Sequence, residues 1–151
     1  MEMNEILEMC RQQEAQFQFD RFTRADALAL GLKLTENAKK YEPGVAVRIV
    51  MNGVTVFQYL PEGAELNNAI WMDRKVRTVS QFGHASLYMM AELNGDPAEQ
   101  KLEANDYALG GGGFPLLIRG VGMVGVITVS GLPHMDDHQL IIDTLTEWFA
   151  K

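Results

Sequence analysis

The chain has 151 residues, with 20 acidic against 13 basic side chains for a formal net charge of −7, and a single cysteine. A length of this order suits one domain spanning 1–151 that buries roughly 68–70% of its unfolded surface, while the acidic balance argues against nucleic acid or an anionic membrane as a partner. No apolar run approaches the ~18 residues of a membrane span, Met1–Glu5 carries no basic-then-apolar leader, and Cys10 has no second cysteine to pair with. The expected setting is therefore the cytoplasm.

Met3, Ile6, Leu7 and Cys10 recur at i, i+3, i+4 and i+7, which predicts a short N-terminal helix over 3–14 as an extension of the domain. Cys10 falls on its apolar stripe and is read as a buried, unreactive thiol. Thr23 with Asp26 three residues on forms a capping-box pattern, and Ala27, Leu30, Leu34 and Ala38 continue a second helix until Pro43-Gly44. From Val45 the period changes to two. Asn52-Gly53 supplies the positive-φ pair of a tight hairpin, and Val54–Leu60 returns as its second strand.

A third helix carries Ala69, Met72, Val76 and Val79 on one stripe, and Gly83 interrupts it before a further turn or two through Leu93. Asn94–Pro97 reads as a loop. Three short strands are predicted over 105–110, 114–119 and 123–130, the last turn made possible by Gly120 and Gly122. Asp136 as N-cap with Gln139 at N3 opens a final helix striped by Ile141, Ile142, Leu145, Trp148 and Phe149. Adjacent hairpins favour antiparallel pairing, so the expected class is α+β.

The hairpin, the helix with Ala69 to Lys75, the run Gly112-Gly113-Phe114-Pro115-Leu116, and Gly125–Pro133 followed by Asp137-His138 together resemble the haem-degrading-domain family, also called GlcG/HbpS-like. The likeness covers roughly residues 20–150. Trp71, the run Arg74-Lys75-Val76-Arg77, the doubled glycines and Asp137-His138 are most similar to its uncharacterised cytoplasmic branch. The resemblance implies a profilin-like (GlcG-like) sandwich, a five-stranded antiparallel sheet flanked by helices, assembled as a homo-oligomer. Haem or another tetrapyrrole is the ligand it implies, and a structural or interaction role of a stress-response kind, without catalysis, is the alternative.

Gly110–Gly113 offers consecutive backbone N–H groups able to cradle a carboxylate or phosphate, with close packing between strands or subunits as the competing reading. No Lys-Ser/Thr follows, so the run is not a P-loop. Arg74, Lys75 and Arg77 place cations within one helical turn. With Gly111, Gly112 and Gly113 they form the expected site for a small anionic ligand, against the alternative of a solvated basic face. A bound haem would take an axial imidazole or phenolate from His84, Tyr107 or His138. His134 and His138 have i, i+4 spacing, but Pro133 and the predicted cap put His134 outside the helix, and no metal site is expected. Ser130 beside Gly131 lacks a nucleophile elbow and reads as a strand-end turn residue. No residue is assigned a catalytic role.

Overall fold

A computed structural model describes residues 1–41 and 44–150. Helix α1 (Met3–Gln16) leads into a short strand β1 (Gln18–Phe19), and α2 (Arg24–Ala38) precedes the hairpin β2 (Ala46–Met51) and β3 (Val54–Tyr59). Then come α3 (Leu66–Phe82), α4 (Ser86–Glu92), a single 3-10 turn (Pro97–Gln100), the strands β4 (Gly113–Ile118) and β5 (Gly122–Ser130), and α5 (His134–Phe149). Pro43, expected to end α2, lies outside the described residues.

Local chemistry accounts for three of these boundaries. Thr23 Oγ1 accepts from the Asp26 amide at 3.1 Å while the Thr23 amide donates to Asp26 Oδ2 at 2.8 Å, closing the capping box that starts α2. Asn52 and Gly53 take φ of 49° and 80°, as a two-residue hairpin requires. Gly83, left-handed at φ 73°, ends α3.

The sheet order is β1-β4-β5-β2-β3. Three of its pairings are antiparallel, but β1 runs parallel to β4, with Gln18 opposite Leu117 and Phe19 opposite Ile118. The expected all-antiparallel sheet is therefore corrected to a mixed one. The fifth strand is β1 and not 105–110, which is irregular. There the Ala108 amide is spent on Thr78 Oγ1 at 3.0 Å and not on a strand partner.

Helices α2 and α5 cover one face of the sheet, where Leu30, Leu34, Val47, Ile49, Phe114, Ile127, Val129, Ile141 and Leu145 are buried together. Helix α3 covers the other face, across β5, β4 and β2. It comes close because Gly113 has no side chain: a Cβ there would sit 3.0 Å from Val79 and 3.2 Å from Lys75 Cβ. Cys10 is fully buried, and burial pushes its thiol up to about 12, so it is inert at neutral pH. No helix among the described residues is long and apolar enough to cross a membrane.

Candidate functional site

Helix α5 begins at His134, earlier than expected. Pro133 supplies the cap, its carbonyl taking the Asp136 and Asp137 amides, while Asp137 Oδ1 accepts the Leu132 amide at 3.0 Å. The predicted Asp136 cap is thus displaced because Asp137 and Pro133 already satisfy the turn. This brings His134 into the first helical turn and against the loop before β4.

A cavity of about 640 Å³ opens between α3, residues 104–111, the end of β5 and the start of α5. Trp71, Leu109 and Leu132 give it apolar surface, whereas Asn67, Asn68, Arg74, Tyr107 and His134 give it polar groups. Its volume is that of a small-molecule site. Arg74 lies over the Trp71 ring, 4.4 Å from the centroid, a contact made possible by their i, i+3 spacing on α3. Arg74 forms no ion pair among the described residues, and its Nε is buried without a hydrogen-bond partner.

The deepest charged groups in the cavity wall are Lys75 and Asp137. Lys75 Nζ donates to Asp137 Oδ2 at 3.0 Å and to the Val129 carbonyl at 2.8 Å. Burial pushes the Lys75 ammonium below its ordinary pKa, outweighing the pull of Asp137, and pushes the Asp137 carboxyl above its own. Position 75 thus lies on the buried face of α3 with Met72, Thr78 and Val79, a rotation of the predicted stripe that puts a lysine inside.

The glycine run serves this arrangement differently from the expectation. The Gly111 amide donates to His134 Nδ1 at 3.2 Å and the Gly113 amide to Ser86 Oγ at 2.9 Å, so neither is free to cradle an anion. Space is what the run supplies. A Cβ on Gly111 would lie 2.1 Å from the His134 carbonyl, and one on Gly112 would lie 2.5 Å from Lys75 Nζ.

The other sequence-chosen residues are dispersed. Arg77 faces a second, shallower cleft of about 780 Å³ shared with Arg48 and Asp73, because α3 turns it away from Lys75. His84 stacks on Tyr88 with ring centroids 4.0 Å apart and pairs through Nδ1 with Glu14 Oε1 at 2.8 Å, outside the cavity. Tyr107 does line the cavity, its hydroxyl donating to Gln81. Ser130 lines it too, accepting from Asn68 Nδ2 at 3.3 Å.

His138 lies 1% exposed behind Gly111, its Nε2 donating to Gln13 Oε1 at 2.7 Å and its Nδ1 unpartnered. Although one helical turn apart, the two histidine rings serve different places, His134 at the cavity and His138 in the interior. Burial pushes the His138 pKa from 6.5 down to about 4. The folded protein keeps this ring neutral where the unfolded chain takes up a proton, so the stability it contributes is present above 6.5 and lost as pH falls towards 4. His138→Gln should flatten the decline in melting temperature across that interval. An identical decline in the variant would show that other groups drive it.

Trp71, Asn68, His134 and Asp137 are among the cavity residues that sequence reasoning left out of the site. For His134 the available signal was Pro133, which can start a helix as well as delay one.

A mixed five-stranded sheet with helices on both faces and a half-apolar cavity at the junction of α3 and α5 defines an α+β domain of the HbpS fold. The chain belongs to the haem degrading protein HbpS-like family, whose sequence model matches residues 22–146. It is 40% identical over 139 residues to a UPF0303 protein of Psychromonas ingrahamii, covering 89% of this chain and 87% of that relative. The crystal structure of the Ybr137w protein is similar with a TM-score of 0.87 and 30% identity, over 94% of this chain and 86% of that one. The crystal structure of a PduOC:haem complex shares the fold, with a TM-score of 0.69 and 18% identity over 83% of this chain and 93% of that one.

Proposed function

We propose that this chain is a cytoplasmic, homo-oligomeric binding protein that holds a small anionic molecule in the cavity between α3 and α5, with haem or another tetrapyrrole as the candidate. The observation that carries this reading is Arg74, a cation on an aromatic wall with a buried, unpartnered Nε and no carboxylate partner among the described residues. A ligand carboxylate beside Arg74 would gain a charge-assisted hydrogen bond. His134 supports the same chemistry. Because its Nδ1 accepts the Gly111 amide, the neutral ring carries its proton on Nε2 and acts as a donor.

The residues present suit a tetrapyrrole in this sense. Trp71, Leu109 and Leu132 would cover the ring, Arg74 and His134 would meet its carboxylates, and Tyr107 is the one sequence-chosen axial ligand that lines the cavity. Bound haem iron would supply redox and oxygen chemistry. The family description and the haem complex of PduOC favour haem among anionic ligands.

Native mass spectrometry of freshly purified protein, followed by haem titration, tests both halves of this reading. The expected assembly is several times 16.9 kDa, with a saturable Soret shift at a fixed haem-to-subunit ratio. Arg74→Ala should weaken affinity by about 10- to 100-fold with the spectrum retained, Tyr107→Phe should change the spectrum, and His84→Ala and Arg77→Ala should do neither. Variants that all titrate like the parent would remove specific haem binding. An assembly without ligand would instead favour the interaction role, for which exposed Leu28, Leu32, Val54 and Tyr59 beside the edge strand β3 offer surface.

A further inference from the structure

The binding reading leaves one reactive group of the cavity unused. Lys75 and Asp137 both line it, with side chains only 6% and 3% exposed and Nζ 3.0 Å from Oδ2. An ammonium has three donors. Two are spent on Asp137 and the Val129 carbonyl, and the third has no acceptor among the described residues. The space at Nζ is kept by Gly112, since a Cβ at that position would sit 2.5 Å away. An ion pair with a purely packing role needs neither a cavity at its edge nor a spare donor.

We propose that Lys75 is an imine-forming amine, condensing with the carbonyl carbon of a small 2-oxo acid whose carboxylate is held by Arg74. This rests on the cavity being an anion site, and not on the anion being haem. Lys75 first gives a proton to Asp137. The neutral amine attacks the carbonyl carbon, one of its two remaining protons moves to the former carbonyl oxygen while the other stays on nitrogen, and a carbinolamine results. Asp137 then returns its proton to that hydroxyl, water leaves, and a protonated imine pairs with the restored carboxylate. No oxidant or reductant is required, and the charge of the pair is the same before and after. Burial favours the first step, because it lowers the proton affinity of the amine and raises that of the carboxyl. His134 Nε2–H is a further donor in the same cavity, available to polarise the carbonyl oxygen.

The test uses the intact chain, pyruvate as probe and cyanoborohydride as the external reductant that traps an imine as a stable amine. Peptide mapping should find the adduct on Lys75 in preference to exposed lysines such as Lys39 and Lys101. Lactate, which has no carbonyl, should give none. Trapping should disappear in Lys75→Arg and slow about 100-fold in Asp137→Asn, the loss typical of a missing acid–base partner. Adducts spread over exposed lysines, or none on Lys75 in the parent protein, overturn the proposal whether or not the variants fold. If Lys75 stays unmodified while pyruvate and lactate both raise the melting temperature and Arg74→Ala abolishes that rise, imine formation alone fails. If neither anion raises it and Lys75 is unmodified, imine formation fails, and the anion-site reading loses its support with these two probes.

Discussion

Lys75→Met or Asp137→Leu alone should each lower stability by about 3–5 kcal/mol, because each leaves one buried charge without its partner. The geometry makes the pair strongly coupled. Nζ and Oδ2 are 3.0 Å apart, and both side chains are almost fully buried between α3, β5 and the start of α5. Losing Lys75 leaves Asp137 with the Leu132 and Gly131 amides, and losing Asp137 leaves the ammonium with a single backbone carbonyl. The double variant should be more stable than the sum of the two losses implies, with a coupling of about 1–3 kcal/mol in a double-mutant cycle read from urea midpoints. Single losses below ~1 kcal/mol would mean the pair is as well solvated as a surface bridge, which would also weaken the case for a desolvated amine.

Much of the architecture was legible because local chemistry and tertiary packing agree. The Thr23–Asp26 box, the Asn52-Gly53 turn and the left-handed Gly83 each fix a boundary through hydrogen bonds or φ values within a few residues. The sheet was less legible. β1 is too short to show a period, and its parallel partner β4 lies far along the chain, so no turn announces the pairing. The segment 105–110, expected to be a strand, is irregular, and a side-chain hydroxyl on α3 takes one of its amides.

The site was legible as a neighbourhood more than as a set of contacts. Family resemblance and the glycine run both led to α3 and the segment before β4, and the cavity lies between them and the start of α5. Arg77 nevertheless parts from Arg74 and Lys75, which both line the cavity, because only packing decides which direction on a helix is inside. Lys75 could not be recognised as buried until Asp137, more than sixty residues later, supplied its counter-charge. His138 was chosen for its motif, but its ring belongs to the core with Gln13 and Phe114.

Within the glycine run, alanine substitutions should differ sharply from one position to the next. Gly110 meets His134 at an ordinary 3.4 Å and its φ is not positive, so Gly110→Ala should fall within about 0.5 kcal/mol of the parent. Gly111 likewise has no positive φ. Its constraint is proximity, since a Cβ would lie 2.1 Å from the His134 carbonyl and 2.9 Å from His138 Cβ, and both belong to α5. Gly111→Ala should therefore push α5 off the sheet and cost about 2–3 kcal/mol, as overpacking does. Gly112 combines the two penalties, with φ at 121° and a Cβ 2.5 Å from Lys75 Nζ and 2.7 Å from the Val129 carbonyl. Adding backbone strain of about 1–3 kcal/mol to overpacking makes Gly112→Ala the most damaging of the three. Melting temperatures of the three variants decide the point. A graded fall from 110 to 112 identifies close approach of helix and ammonium as the reason for the run, whereas equal losses at all three would mean that the segment is needed for flexibility and that the contacts at Gly111 and Gly112 are not what constrains it.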